Sequence, residues 1–243
     1  MSPEDRGEER IVSDGEKDRS LAGLWNRARR VLRWPSRPDA GGWDAAGGGA
    51  VHRSKTLEAF LAAMAGSAAP VIVDLGPAIG ANVAFLGARL ACKLFPEDLY
   101  AHFDRPFARA DGDGLEAMLA ARLQQAPGSV DGILAWDVFD YAGRREAAAL
   151  GGRLASLLRP GGLMMAMFTT ALRHEPASKR YVIVDGGHLR HRPAPGARWP
   201  RRVWPLHDIE TLLAPLEVCQ SHLLLHQQRE MLLRRPLAPG KEG

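Results

Sequence analysis

Short continuous apolar runs alternate with segments of helical spacing through the middle of the chain. The runs at 71–73, 133–135 and 162–168 consist mainly of Val, Ile, Leu, Ala and Met, and such runs are typical of strands covered on both faces. Apolar residues at helical spacing predict helices over 57–65, 83–94, 115–125 and 144–158. This alternation predicts an α/β fold, doubly wound around a mostly parallel sheet.

An insertion at 169–205 interrupts this alternation. Within it, 181–184 and 188–191 flank a turn at 185–187 and predict a β-hairpin. The insertion is rich in basic residues and is expected to lie over the carboxyl end of the sheet, where an anionic substrate would bind. We favour the plainer interpretation of an Arg-rich surface, and nucleic acid is not favoured as a partner. The basic residues are Lys179, Arg180, Arg190, Arg192, Arg198, Arg201 and Arg202.

The C-terminal part predicts one more helix and two strands. The helix covers 206–213, and the apolar runs at 216–226 and 230–235 predict an antiparallel pair joined around Gln227-Gln228. We therefore expect a mostly parallel sheet that is closed by a C-terminal antiparallel hairpin.

The N-terminal part has three different compositions. Residues 1–19 are charged and poor in apolar side chains, which predicts disorder. Residues 20–34 separate apolar residues from arginines and predict an amphipathic helix, which either packs on its own domain, as we favour, or contacts an anionic membrane surface weakly. Glycines at 36–50 predict a flexible linker. We therefore expect a mobile arm over 1–54 and one folded domain over 55–238.

Composition and charge add few constraints. The 243 residues carry a net charge of +4, which is mildly basic and does not by itself imply nucleic acid. Cys92 and Cys219 do not form a disulfide framework and suit a reducing compartment. The charged opening residues do not resemble a signal peptide, so we expect a cytoplasmic protein. The pairs His188/His191 and His222/His226 have no cysteine or carboxylate cluster beside them, so we predict no metal site.

A glycine turn follows the strand at 71–73. Asp74 ends the strand, and Gly76, Ala78 and Gly80 follow, with Asn82 placed to cap the next helix. A turn of this kind lets the backbone approach a ligand closely, and in a doubly wound sheet it forms the ligand-binding corner. The dinucleotide fingerprint G-x-G-x-x-G is not met, because alanines occupy two of its glycine positions, and this disfavours a nucleotide-binding oxidoreductase.

The stretch resembles the first motif of class I S-adenosylmethionine (SAM) dependent methyltransferases, an acidic residue followed by G-x-G-x-G. Ala78 stands at the central glycine. A strand that ends at Trp136-Asp137 and the run 159–162, Arg-Pro-Gly-Gly, before the next strand continue the resemblance, which covers 57–168 in matching order. It implies a Rossmann-like methyltransferase fold that binds SAM. The implied SAM-binding residues are Asp74, Gly76, Ala78, Gly80, Asn82, Asp98, Trp136 and Asp137.

Acidic residues follow the predicted second strand. In nucleotide-binding α/β folds a carboxylate at this position accepts hydrogen bonds from the ribose hydroxyls, and Asp98 is the candidate for it, with Glu97 as the alternative. The interpretation that these residues form only a solvated acidic turn is equally favoured. Residues 103–113 make a poor third strand. Asp111 or Asp113 is a candidate for the adenine side there, although a plain loop is favoured.

The end of the fourth strand would face the methyl acceptor. Asp137 and Tyr141 are therefore the candidate catalytic residues. In the alternative interpretation Trp136 and Phe139 belong to the core, and Asp137 caps the following helix. Residues 137–140, Asp-Val-Phe-Asp, lack the Pro-Pro-aromatic run of amino-methylating enzymes, which favours an oxygen or small-molecule acceptor.

The predicted function is SAM-dependent methyl transfer to an acceptor that the sequence leaves open. In such a reaction the enzyme mainly orients and desolvates the reactants, so no catalytic triad is expected. The alternative is a non-catalytic protein that keeps the methyltransferase fold as an interaction module. Pro77, Ala78 and the short third-strand region favour that alternative.

Overall fold

A computed structural model describes residues 49–102, 112–171, 179–193, 201–225 and 227–237. The predicted N-terminal disorder, the amphipathic helix at 20–34 and most of the linker lie outside these residues. Asp111, Arg198 and His226 lie outside them as well. Within the described residues, no helix is both long enough and apolar enough to cross a membrane.

The described elements match the predicted alternation closely. The strands are β1 (Val51–Arg53), β2 (Val71–Asp74), β3 (Lys93–Pro96), β4 (Val130–Trp136), β5 (Leu158–Thr169), β6 (Lys179–Asp185), β7 (His188–Pro193), β8 (Glu217–Leu224) and β9 (Gln228–Arg234). The helices are α1 (Lys55–Ala65), α2 (Gly80–Leu90), α3 (Gly112–Arg122), α4 (Arg144–Leu157) and α5 (Leu206–Leu212), and short 3-10 turns cover Leu99–His102 and Val138–Tyr141.

The main sheet has six described strands in the order β3-β2-β4-β5-β9-β8. The first four are parallel to one another, whereas β9 runs antiparallel to both β5 and β8. The predicted fold is therefore confirmed: the chain has a mostly parallel, Rossmann-like sheet that a C-terminal antiparallel hairpin closes.

Helices cover both faces of this sheet, which explains the continuous apolar runs of its central strands. On one face, Leu57 and Phe60 of α1 pack in the same buried cluster as Ile72 of β2. On the other face, Leu154 of α4 packs in a cluster with Ile133 of β4. Each fully buried side chain of this size stabilises the fold by roughly 1.5–3 kcal/mol.

The insertion forms the predicted hairpin, β6 and β7, and this hairpin belongs to a second, smaller sheet in the order β1-β7-β6. Strand β1 lies within 1–54, the range predicted as a mobile arm. Ser54, directly after β1, caps α1 by accepting a hydrogen bond of 3.0 Å from the backbone N–H of Leu57. A strand of three residues is too short to give a periodic signal, and these residues were therefore predicted to belong to the arm.

Helix α2 is shifted relative to the prediction of 83–94. It begins at Gly80 and ends at Leu90, because Ala91 adopts a left-handed conformation with φ of 45° and the chain then enters β3. This shift moves Asn82 into the first turn of the helix.

Candidate functional site

The carboxylate of Asp74 lies at the carboxyl end of β2 and is buried. Its Oδ1 accepts a hydrogen bond of 2.9 Å from the backbone N–H of Gly76 and one of 2.6 Å from the indole Nε1 of Trp136. Burial raises the pKa of Asp74 from 3.8 to about 6; the two hydrogen bonds oppose this shift, and the charge of Asp98 adds to it.

Trp136 occupies the space above the first glycine of the turn. A Cβ atom added to Gly76 would lie 2.6 Å from Cδ1 of the indole, so the ring rests directly on the glycine backbone. The indole also stacks on Tyr181 of β6, with ring centroids 5.4 Å apart and an angle of 5° between the planes. Trp136 itself has φ of 49°, an uncommon conformation for a bulky residue, which the surrounding contacts must hold.

Asn82 joins the start of α2 to the insertion. Its Nδ2 donates to the carbonyl oxygen of Tyr181 at 2.9 Å, and its Oδ1 accepts from the backbone N–H of Ile183 at 2.8 Å. The prediction that Asn82 caps the helix is wrong, since the N-cap position is held by Ile79 without a side-chain hydrogen bond. These contacts, with the stacking of Tyr181 on Trp136, place β6 next to the carboxyl ends of β2 and β4.

The other end of the turn is open. A Cβ atom added to Gly80 would meet nothing within 4 Å, and Gly80 is exposed, while Ala78 is half-buried. The turn is therefore filled at Gly76 by a side chain of the protein and is accessible at Gly80.

The two acidic residues after β3 have different surroundings. The carboxylate of Glu97 accepts a hydrogen bond of 2.9 Å from Nε2 of Gln125, near the end of α3. Asp98 lies close enough to Asp74 for its charge to raise the pKa of that residue. Of the two candidates for the ribose carboxylate, Asp98 is the one whose charge acts on Asp74, while the backbone N–H of Glu97 donates to the carbonyl oxygen of Asp74 at 2.7 Å.

Asp137 is the centre of a buried hydrogen-bond network. Its Oδ1 accepts from the hydroxyl of Tyr100 at 2.5 Å, and its Oδ2 accepts from Nη2 of Arg201 at 3.1 Å and from the hydroxyl of Tyr141 at 3.4 Å. Burial raises its pKa, against the lowering effect of Arg201 and the hydroxyl donors. The two candidate catalytic residues, Asp137 and Tyr141, are therefore adjacent, and the hydroxyl of Tyr141 donates a hydrogen bond to the carboxylate of Asp137.

Asp140 belongs to the same network. Its Oδ2 accepts hydrogen bonds of 3.0 Å from both Nη2 of Arg201 and the backbone N–H of Thr169. Burial and then the charge of Asp137 raise the pKa of Asp140 from 3.8 to about 7. The guanidinium of Arg201 lies between the two carboxylates and also donates to the hydroxyl of Thr169. Arg201 was predicted as a surface residue of the basic insertion; its charge gave no indication of the buried partners.

Tyr181 connects this network to β9. Its hydroxyl accepts a hydrogen bond of 2.7 Å from Nε2 of Gln228, and it also bonds to Asp137, which lowers the pKa of that carboxyl. Tyr181 was not predicted to be a site residue, because nothing in the sequence of a hairpin strand indicates that one of its aromatic residues contacts β4.

Further basic residues of the insertion depart from the expectation of an Arg-rich surface. Lys179 and Arg192 are buried, and Arg180 and Arg190 are half-buried. Among the described residues, no group of three or more His, Cys, Asp or Glu side chains is placed to hold a metal ion.

The described arrangement does not fit SAM in the position that the resemblance implies. The indole of Trp136 fills the space above Gly76, and the oxygen of Asp74 that faces the turn already has two donors. Asn82 is likewise engaged, with β6.

Comparison with known proteins gave matches among solved structures alone. No family model matches the chain, and no curated protein matches it. A SAM-dependent methyltransferase from Mesorhizobium loti is 14% identical, with a TM-score of 0.46 over 72% of this chain and 95% of that one. A 1,6-didemethyltoxoflavin-N1-methyltransferase from Burkholderia thailandensis, solved with S-adenosylhomocysteine, is 16% identical, with a TM-score of 0.42 over 75% of this chain and 77% of that one. The pyocyanin biosynthetic protein PhzM is 16% identical, with a TM-score of 0.38. The match covers 68% of this chain and 50% of PhzM.

At these identities and TM-scores the comparisons carry no argument about activity. The observed sheet does bear on the fold, because β9 runs antiparallel between two strands that are parallel to each other, and helices cover both faces. A closing antiparallel pair is what the apolar runs at 216–226 and 230–235 predicted. The chain thus has a Rossmann-like α/β fold whose mostly parallel sheet is closed by an antiparallel pair, as the resemblance to class I SAM-dependent methyltransferases implied.

Proposed function

We propose that this chain is a non-catalytic methyltransferase-fold protein, in which side chains of β4 and β6 take the place of the methyl donor. The observation that carries the proposal is the indole of Trp136, which rests on the backbone of Gly76 at the turn where the donor would bind. In open α/β sheets this turn, at the carboxyl end of the strands, is the ligand position.

Several contacts hold the indole in this place. It donates to the buried carboxylate of Asp74 and stacks on Tyr181, while Asn82 fixes the backbone on both sides of Tyr181. Removing the hydrogen bond from Asp74 would cost about 1.5–3 kcal/mol, because the acceptor is a carboxylate, and losing the stacked pair would cost about 0.5–1.5 kcal/mol. A methyl donor that displaced the indole would therefore bind roughly thirty- to two-thousandfold more weakly than in an open site.

The acceptor side supports the same proposal. The carboxylate of Asp137 is fully buried, and Tyr100, Tyr141 and Arg201 all donate to it. A general base must reach the proton that it removes. A carboxylate enclosed by its own donors has no such access, so this cluster acts as a structural connection among β4, β5 and the insertion.

SAM-dependent methyl transfer to an unidentified acceptor is the second candidate. It is favoured by the proximity of Asp98 to Asp74, by the position of Asp137 directly after the neighbouring strand β4, and by the open space at Gly80. This function requires the indole to leave Gly76. The residues that would then hold SAM are those of the turn, with Asp98 accepting hydrogen bonds from the ribose; the methyl group would come from the sulfonium of SAM.

Isothermal titration of the full chain with SAM and with S-adenosylhomocysteine tests the proposal. We expect no binding at about 1 mM ligand, which corresponds to a binding free energy weaker than about −4 kcal/mol. Trp136→Ala, which removes the indole, should gain affinity for S-adenosylhomocysteine. Trp204→Ala is the matched control, since Trp204 is also buried and hydrogen-bonded but lies on the other face of the sheet. Wild-type binding as tight as that of Trp136→Ala would contradict the proposal and favour methyl transfer.

A further inference from the structure

Strand β9 carries two polar side chains on a face that is otherwise part of the core. Gln228 and Glu230 are both fully buried. Leu232, two positions further along the strand, packs in the buried cluster that contains Trp136 and Tyr181, and side chains two positions apart point to the same face of a strand. A buried carboxyl group is costly unless hydrogen bonds satisfy it, so the partners of Glu230 indicate its role.

The carboxyl group of Glu230 contacts the first strand of the small sheet and the residue after it. Its Oε1 lies 3.1 Å from Nε2 of His52, and its Oε2 accepts a hydrogen bond of 2.9 Å from the hydroxyl of Ser54. Strand β1, which contains His52, pairs in turn with β7 of the insertion. Glu230 thus connects the main sheet with the small sheet and fixes the position of the imidazole of His52.

Four rings in contact lead from His52 to the glycine turn. The imidazoles of His52 and His191 lie edge to face with centroids 4.4 Å apart, and the ring of His191 lies edge to face with that of Tyr181 at 5.0 Å. Tyr181 stacks on the indole of Trp136, which rests on Gly76. These four side chains form a ring row that runs from β1 through β7 and β6 to the end of β4, and each ring limits the movement of the next.

We propose that Glu230 is a positioning residue for the indole of Trp136: by fixing His52 it holds the ring row, and the ring row holds the indole over the glycine turn. This inference rests on the proposed function, because it assigns the residue that keeps the cover in place. Gln228, on the same face of β9, acts beside Glu230 by donating to the hydroxyl of Tyr181 at 2.7 Å. An apolar side chain at position 230 would fill the same space but would remove the contact that orients His52.

Hydrogen exchange of the indole N–H groups in the full chain tests this role. Glu230→Leu should accelerate exchange at Nε1 of Trp136, relative to Nε1 of Trp204, about two- to tenfold, the change in local opening expected when one aromatic contact is lost. Trp204 is buried on the other face of the sheet, so a global loss of stability accelerates both indoles equally. Glu230→Gln keeps an acceptor for Ser54 and a donor toward His52, and it should restore the wild-type ratio.

Two further variants decide the outcome. Asp131→Leu is the matched control, because the carboxylate of Asp131 also joins two strands, by accepting from the backbone N–H of Val71 at 2.8 Å, but at the amino ends of β4 and β2. It should leave the ratio unchanged. His191→Leu breaks the ring row directly and decides the question if Glu230→Leu does not fold, as circular dichroism shows. An unchanged ratio in folded Glu230→Leu or in His191→Leu overturns the inference, as does an equal rise in Asp131→Leu.

Titration of the same variants with S-adenosylhomocysteine separates this inference from the proposed function. Wild-type binding as tight as that of Trp136→Ala contradicts the proposed function. The exchange ratio is measured without ligand, so a ratio that rises in Glu230→Leu supports the positioning role in either case.

Discussion

The indole Nε1 of Trp136 and the carboxylate Oδ1 of Asp74 lie 2.6 Å apart and join the ends of β4 and β2. The indole at the same time rests on Gly76 and stacks on Tyr181. The indole of Trp136 thus donates a hydrogen bond to a buried carboxylate, occupies the space above the first glycine of the turn and packs against strand β6 of the insertion. The space above the first glycine of the turn is therefore occupied by the protein's own packing.

The hydrogen bond to Asp74 predicts an asymmetry between two buried tryptophans. Trp136→Phe should lower the free energy of unfolding by about 1.5–3 kcal/mol, because the lost donor served a carboxylate. Trp204→Phe should cost about 0.5–1.5 kcal/mol, since the indole of Trp204 donates to the neutral backbone oxygen of Phe139 at 3.0 Å. Urea unfolding followed by circular dichroism measures both. Equal costs would indicate that the bond to Asp74 adds nothing beyond packing.

The glycine turn predicts opposite responses at its two ends. Gly76→Ala should destabilise the protein by about 1–3 kcal/mol, because the new methyl group would lie 2.6 Å from the indole and force Trp136 to move. Gly80→Ala should be neutral or stabilising by up to about 1 kcal/mol, since nothing lies within 4 Å and alanine favours the helix that begins there. Thermal unfolding of the two variants compares them directly. A stable Gly76→Ala variant would mean that the indole is not held against the turn.

The regular part of the fold could be predicted from local pattern. Strands β2 and β4 and helix α4 appear in the sequence as apolar runs or helical spacing, and the last two strands are bounded by polar residues. These signals depend on neighbouring residues, so a single sequence contains them. Strand β1 was missed because three residues that pair with a strand far along the chain carry no periodicity of their own.

The contents of the site could not be predicted, because they depend on contacts between distant residues. Trp136 stacks on Tyr181, which lies 45 positions later in the insertion. The insertion was expected to lie over the sheet, but this contact was not predicted. Arg201 was assigned to a basic surface, whereas two buried carboxylates enclose it. The residue types were visible in the sequence, but which aromatic and which arginine would turn inward was not.

The buried position of Arg201 predicts a structural role that its neighbour Arg202 does not share. Arg201→Met should destabilise the protein by about 3–5 kcal/mol, because it leaves the carboxylates of Asp137 and Asp140 buried without their cation. Arg202→Met should cost less than about 1 kcal/mol, since the guanidinium of Arg202 is exposed and lies over the ring of Trp204 at 5.3 Å. Chemical unfolding at pH 7 distinguishes the two. If both variants cost the same small amount, the two buried carboxylates do not need the charge of Arg201.

The raised pKa of Asp140 predicts how stability depends on pH. With a pKa of about 7 in the folded protein and an ordinary value of 3.8, the folded state holds a proton that the unfolded chain has released between these values. The contribution of Asp140 to the free energy of unfolding is therefore greatest below about pH 4 and is lost as the pH rises toward about 7. Asp74, with a pKa of about 6, contributes in the same direction.

Asp140→Asn isolates this contribution, because asparagine keeps an acceptor for the N–H of Thr169 but cannot ionise. The urea midpoint of the variant, measured relative to wild type, should rise steadily between about pH 4 and about pH 7 and then level off. Asp185→Asn is the control: that carboxylate is exposed, and its pKa is lowered by the backbone N–H of Gly187 and by His188, so its relative midpoint should not rise over this range. A relative midpoint of Asp140→Asn that falls with pH would mean that Arg201 keeps Asp140 charged in the folded protein, and the network would then be an ion pair stabilised at neutral pH.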